Sequence, residues 1–154
     1  MRNRFIHALA LGAGMALAVP AAASDGFVRV QSANDVSGTM AALEAAVQQA
    51  GATIFARVDH AVGAASVDMA LRPARLLIFG NPQLGTPAIQ DDVLAGLALP
   101  LRVLAYEDAE GQTWIAYEDP AAMLGRLDGI AADAEYVGRI AGALENLTAA
   151  AAGD

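Results

Sequence analysis

The residues best suited to chemistry in this 154-residue chain are a histidine beside an aspartate, two isolated arginines and a glycine-containing loop. His60 follows Asp59 at the predicted end of a strand, where chain leaving a sheet commonly builds sites. An imidazole there can move a proton, ligate a haem or a metal, or simply hydrogen-bond the loop. Adjacent strand residues point to opposite faces, so Asp59 is poorly placed to orient His60 and a general base would need another carboxylate. Arg72 and Arg102 could converge on a carboxylate-bearing ligand. The plainer account pairs them with Glu107, Glu118 or Asp119, because a guanidinium cannot be neutralised. The loop Gly80-Asn81-Pro82-Gln83-Leu84-Gly85-Thr86 offers backbone N–H groups to an anion. It lacks the lysine and spacing of a P-loop and the glycine triplet of a dinucleotide site. Without a ligand, the same residues read as a turn with Gly80 at positive φ and Asn81 held extended before proline.

The remaining composition removes whole classes of mechanism. There is no cysteine, hence no disulfide, thiolate metal site or cysteine nucleophile, and all nine cations are arginine, hence no Schiff-base lysine. A closed metal site recruits three or four ligands. Asp59, Asp68, Asp91 and Asp92 show no EF-hand spacing, so no metal is expected. No cofactor is expected either, haem through His60 being the one exception considered. Ser32, Ser37 and Ser66 stand in no nucleophile-elbow sequence, which leaves serine–histidine hydrolysis without support. Acids outnumber bases 17 to 9 and the arginines are scattered singly, which argues against nucleic acid and against an anionic membrane surface.

Arg2 and Arg4, the apolar stretch from Ile6 to Val19 and Ala21-Ala22-Ala23 have the three parts of an export signal, with cleavage expected after Ala23 and the periplasm as destination. Residues 24–149 are then expected to form one domain and 150–154 a disordered tail, with no membrane span after cleavage. Phe27 to Gln31 alternates as a strand. Val36, Met40, Leu43 and Val47 step as a helix over about 35–50, capped by Asn34 or Ser32 and closed by Gly51. A strand over 52–59 places Ile54, Ala56 and Val58 on one side, and His60 to Met69 reads as a short helix. Arg75 to Phe79 has no alternation, as expected of a central strand covered on both faces. A helical segment from Gly85 to about Leu97 is followed by a hairpin of 101–107 and 112–118 around a polar turn. A last helix over about 129–147 carries Ile130, Val137, Ile140, Leu144 and Leu147 on one stripe. Together these predict a two-layer α+β domain, a mixed sheet of about five strands with helices packed on it.

Phe55-Ala56-Arg57-Val58-Asp59-His60, Leu71-Arg72-Pro73, Leu76 to Pro82, Gly85-Thr86, Leu99-Pro100-Leu101-Arg102 and Tyr117-Glu118-Asp119-Pro120 occur in an order that resembles the DUF302 family. The resemblance implies a TT1751-like α+β fold assembled as a homodimer, and no established reaction. Three readings follow from the residues. The preferred one is a non-catalytic periplasmic homodimer that binds a small anionic ligand or a partner protein at His60, Arg72, Gly80, Asn81, Gly85, Thr86 and Arg102. The second is an acid/base enzyme with His60 as proton carrier. The third is a structural dimerisation module, which requires a buried His60 and no pocket.

Overall fold

The computed structural model describes residues 25–153, so the expected leader and its cleavage point lie outside the described residues. Strands β1 (Phe27–Gln31), β2 (Thr53–Asp59), β3 (Ala74–Gly80), β4 (Leu101–Glu107) and β5 (Thr113–Glu118) form one sheet in the order β1-β5-β4-β3-β2. All four pairings are antiparallel, where a mixed sheet was expected. At β2 and β3 the end of one strand stands beside the start of the next, Asp59 opposite Arg75, so residues 60–73 turn back at one end of the sheet and do not cross its length as a parallel neighbour requires.

Helices α1 (Val36–Gln49) and α6 (Glu135–Ala152) cover one face, with the shorter α2 (His60–Ala65), α3 (Pro82–Asp91), α4 (Ala95–Ala98) and α5 (Pro120–Leu124) at the ends of the sheet. Leu43 and Val47 of α1 and Ile140 and Leu144 of α6 are buried with Leu77, Phe79, Val103 and Ile115 from the sheet. Each such side chain contributes roughly 1.5–3 kcal/mol on leaving water. Asp35, rather than Asn34 or Ser32, caps α1, its Oδ1 accepting from the Gly38 N–H at 2.7 Å. The Ser32 hydroxyl is instead buried 2.7 Å from that of Thr39. Gly51, at φ 69°, closes the helix in the left-handed region as expected.

Two local departures from the expected elements matter for the site. A bulge at Phe55 breaks the alternation of β2, so Ile54 stands opposite Phe79 on the helix-covered face while Ala56 stands opposite Ile78 on the other. The third helix begins at Pro82 rather than Gly85, because Asn81 caps it and proline suits its first turn. The C-terminal alanines, expected as a loose tail, continue α6: Ala151 and Ala152 are fully buried, and the Ala152 carbonyl accepts from the Ala33 N–H at 2.9 Å. Their small side chains let the helix end pack against the turn after β1.

Among the described residues no helix covers the opposite face of the sheet. Leu76, Ile78, Leu104, Tyr106 and Trp114 are only half-buried there. The unbroken apolar run of β3 is therefore covered by helices on one face, not on both.

Candidate functional site

The two ends of β3 hold different kinds of side chain. At its start, β2 finishes with Asp59, whose Oδ1 accepts from the Val62 N–H at 3.0 Å and caps α2, while its Oδ2 takes the Arg75 Nε at 2.8 Å. Arg75 also reaches the Ser37 hydroxyl at 3.1 Å. The Val62 amide and then the Arg75 guanidinium hold the Asp59 carboxyl below its ordinary value. His60 is exposed beside this cluster, on the first turn of α2. Arg72 is exposed too and pairs with Glu107 at 3.0 Å. The carboxylate next to His60 in the chain, Asp59, is thus engaged with a cap and an arginine. Among the described residues no group of three or more His, Cys, Asp or Glu could hold a metal.

At its other end β3 runs into a cavity of about 310 Å³, within the range of small-molecule sites. Its walls come mainly from four elements: Phe79 and Gly80 from β3, Leu84, Gly85, Thr86 and Ile89 from α3, Leu99, Pro100 and Leu101 leading into β4, and Ile140, Ala143 and Leu147 from α6. Phe55, swung round by the bulge, closes one side. Gly80 is extended rather than at positive φ; its importance is close approach, since a Cβ there would meet Phe55 Cε2 at 3.4 Å and Pro100 Cβ at 3.5 Å. Asn81 is extended as expected (φ −127°, ψ 118°), and its Oδ1 accepts from the Gln83 N–H at 2.9 Å. No charged side chain is among the described residues of the lining.

The structure thus brings together Gly80, Asn81, Gly85 and Thr86 and leaves His60 and Arg72 at the far end of β3, about 20 Å away at 3.3 Å per strand residue. Arg102 lies near the cavity end but projects onto the open face, 3.7 Å from Glu118, which also binds Arg126 at 2.6 Å. There it borders a wider hollow of about 590 Å³ with Phe27, Arg29, Leu76, Leu104 and Tyr106. Phe55, Leu84, Ile89, Leu99, Ile140 and Leu147 were not anticipated as lining residues. Only the glycines and proline at 80, 82 and 85 signalled that this loop ends a strand where a crevice can form.

Comparison with known proteins agrees with this architecture. The family model described as "Domain of unknown function DUF302" matches residues 28–149. The crystal structure of an uncharacterized conserved DUF302 protein from Bacillus stearothermophilus superposes with a TM-score of 0.66 at 20% identity, covering 82% of this chain and 95% of that one. Two curated relatives, fluoride-specific ion channel FluC 1 of Brucella suis and FluC 2 of Brucella melitensis, are each 39% identical over 130 residues, 84% of this chain. The chain spans about half the length of these relatives, 51% and 48% respectively. Among the described residues no helix is long and apolar enough to cross a membrane. From the matched span and the shared fold, the chain belongs to the DUF302 family.

Proposed function

We propose that this chain is a non-catalytic binding domain, exported to the periplasm and paired as a homodimer, which holds a small uncharged ligand in the cavity between β3, α3 and α6. The observation that carries this reading is a preformed, almost wholly apolar cavity whose described lining has no cation, carboxylate or imidazole. Such a lining offers nothing to neutralise an anion and no group to move a proton near neutral pH. That favours a neutral ligand over the anionic one suggested by Arg72 and Arg102, and binding over acid/base catalysis. An exposed His60 and the cavity itself run against a purely structural module. Pairing is supported by Leu76, Ile78, Leu104 and Tyr106 on the open face, an apolar surface of the kind that marks interaction sites. Native mass spectrometry of the protein isolated from its own periplasm, beside an absorption spectrum, tests both parts. Two chains with a retained small molecule and no haem band are expected; a ligand-free monomer would sink the reading.

The curated relatives favour a second role for the same domain. An ion channel must cross a bilayer, and the stretch these relatives share with this chain contains, among its described residues, no helix able to do so. We infer that in those proteins the channel lies in the unmatched half, with this domain as an appendage. By analogy this chain serves a membrane channel that handles fluoride. Deleting its gene is expected to lower growth in fluoride-containing medium; unchanged growth and unchanged fluoride efflux would remove this role.

A further inference from the structure

The cavity is not uniformly apolar, and its two polar residues define what it would recognise. Among the described lining residues only Asn81 and Thr86 carry polar side chains, both on the α3 side. The Asn81 amide is oriented by its own cap: an oxygen must face the Gln83 N–H, so the Nδ2 donor is the half of the side chain left over. Thr86, on the same wall, adds a hydroxyl that can donate. Leu84, Ile89, Leu99 and Leu147 supply hydrocarbon to the rest of the lining, while Asn81 is half-buried and Thr86 exposed.

Resting on the binding reading above, we propose that the cavity selects a neutral molecule with one hydrogen-bond-accepting head, a ketone, amide or ester carbonyl, on a compact apolar body. The head takes the Asn81 Nδ2 and Thr86 Oγ1 donors while the body fills the space bounded by α3 and α6. A hydrocarbon of the same shape offers neither donor an acceptor, and a carboxylate brings a charge into a cavity with no cation; each binds less well than a carbonyl. The volume of about 310 Å³ suits a ring with a short side chain, since a dry cavity of half that size accepts a benzene-sized guest.

Three probes of equal heavy-atom count separate these cases: acetophenone with a carbonyl head, cumene with none, and benzoate with a charge at pH 7. Each is titrated into the isotope-labelled protein while the methyl signals of Leu84, Ile89, Ile140 and Leu147 are followed. Acetophenone and cumene should both move those methyls, and benzoate should not. Thr86→Val and Asn81→Asp, which retains the capping oxygen, should each weaken acetophenone about fivefold, the worth of one neutral hydrogen bond, and Thr86→Val should leave cumene unchanged. Dispersed spectra of both variants confirm that they fold. If no probe moves the methyls, the binding reading fails together with this inference. If cumene binds but acetophenone is insensitive to both substitutions, the binding reading stands and the selection for an acceptor head is overturned. Tighter binding of benzoate than of acetophenone would overturn it as well.

Discussion

The two ends of β3 contrast in what their polar groups do. At the Asp59 end the paired charges are answered locally: Asp59 by Arg75 and the α2 cap, Arg72 by Glu107. At the Gly80 end hydrocarbon from β3, α3 and α6 lines a cavity, with two neutral polar side chains on its wall. The end richest in residues capable of chemistry is where those residues hold the fold together, and the end poor in them is where space for a ligand exists. Charged side chains close to one another in a small domain neutralise each other. Apolar walls cannot collapse on themselves when a bulge, a cap and two glycines fix the backbone around them.

The largest expected effect separates the ends by stability. Phe79 is almost fully buried and also forms part of the cavity wall, so Phe79→Ala should cost about 3–5 kcal/mol in chemical denaturation. Arg72→Ala removes only an exposed ion pair and should cost roughly 0.2–1 kcal/mol. Equal losses would mean that the Arg72 end is not the loosely coupled surface described above.

A smaller effect is expected from Gly129, in the segment before α6. A Cβ there would lie 2.6 Å from the Asp91 carbonyl oxygen and 2.9 Å from Asp92 Cβ, and Asp91 in turn accepts from the Tyr136 hydroxyl at 2.8 Å. Gly129→Ala must therefore push the end of α3, one wall of the cavity, away from α6. A loss of about 1–3 kcal/mol is expected, together with shifted methyl signals at Ile89 and Leu84. Unmoved cavity signals would show that α3 is not held through this contact.

The sequence revealed more of the fold than of the site. Strand and helix periods placed β1, α1 and the hairpin within a residue or two, because burial on one face imposes them locally, and the unbroken apolar run marked β3. The loop at Gly80, Asn81, Gly85 and Thr86 was legible for a similar reason: strand stop, proline and glycines are local signals. The rest of the site was hidden because Ile140 and Leu147 reach it from α6, more than fifty residues away, looking like any other core stripe. Phe55 was concealed by a bulge that no alternation pattern announces. His60 and Arg72 stood out by residue type alone, and type carries no distance.

The pH dependence of the two ends should differ as well. Asp59 is held below its ordinary value, so it contributes stability above the unfolded carboxylate value of about 3.9, and that contribution is lost as pH falls through the lower folded value. Asp59→Asn keeps a capping oxygen but loses the charge facing Arg75. Wild type should therefore exceed this variant in thermal midpoint at pH 7, and the difference should shrink progressively below about pH 4. Probe binding in the cavity, with no titratable group in its described lining, should stay flat from pH 5 to 9. A binding curve that followed an imidazole or carboxylate would draw the two ends back into one site.

The smallest expected effect bears hardest on the contrast. His60 is exposed at the start of α2, lines neither hollow, and has its neighbouring carboxylate already committed to Arg75 and the Val62 amide. His60→Ala should therefore change stability by no more than about 0.5 kcal/mol, the usual range for a surface substitution, and leave acetophenone binding and the native mass unchanged. Loss of cooperative thermal unfolding would make His60 a lock on the loop. Unaltered stability with abolished ligand retention would instead move function to the charged end and restore proton transfer by this imidazole as the reading to pursue. Silence in all three measurements upholds the division: charge pairing supports the fold at Asp59, and the cavity beside Gly80 works without the imidazole.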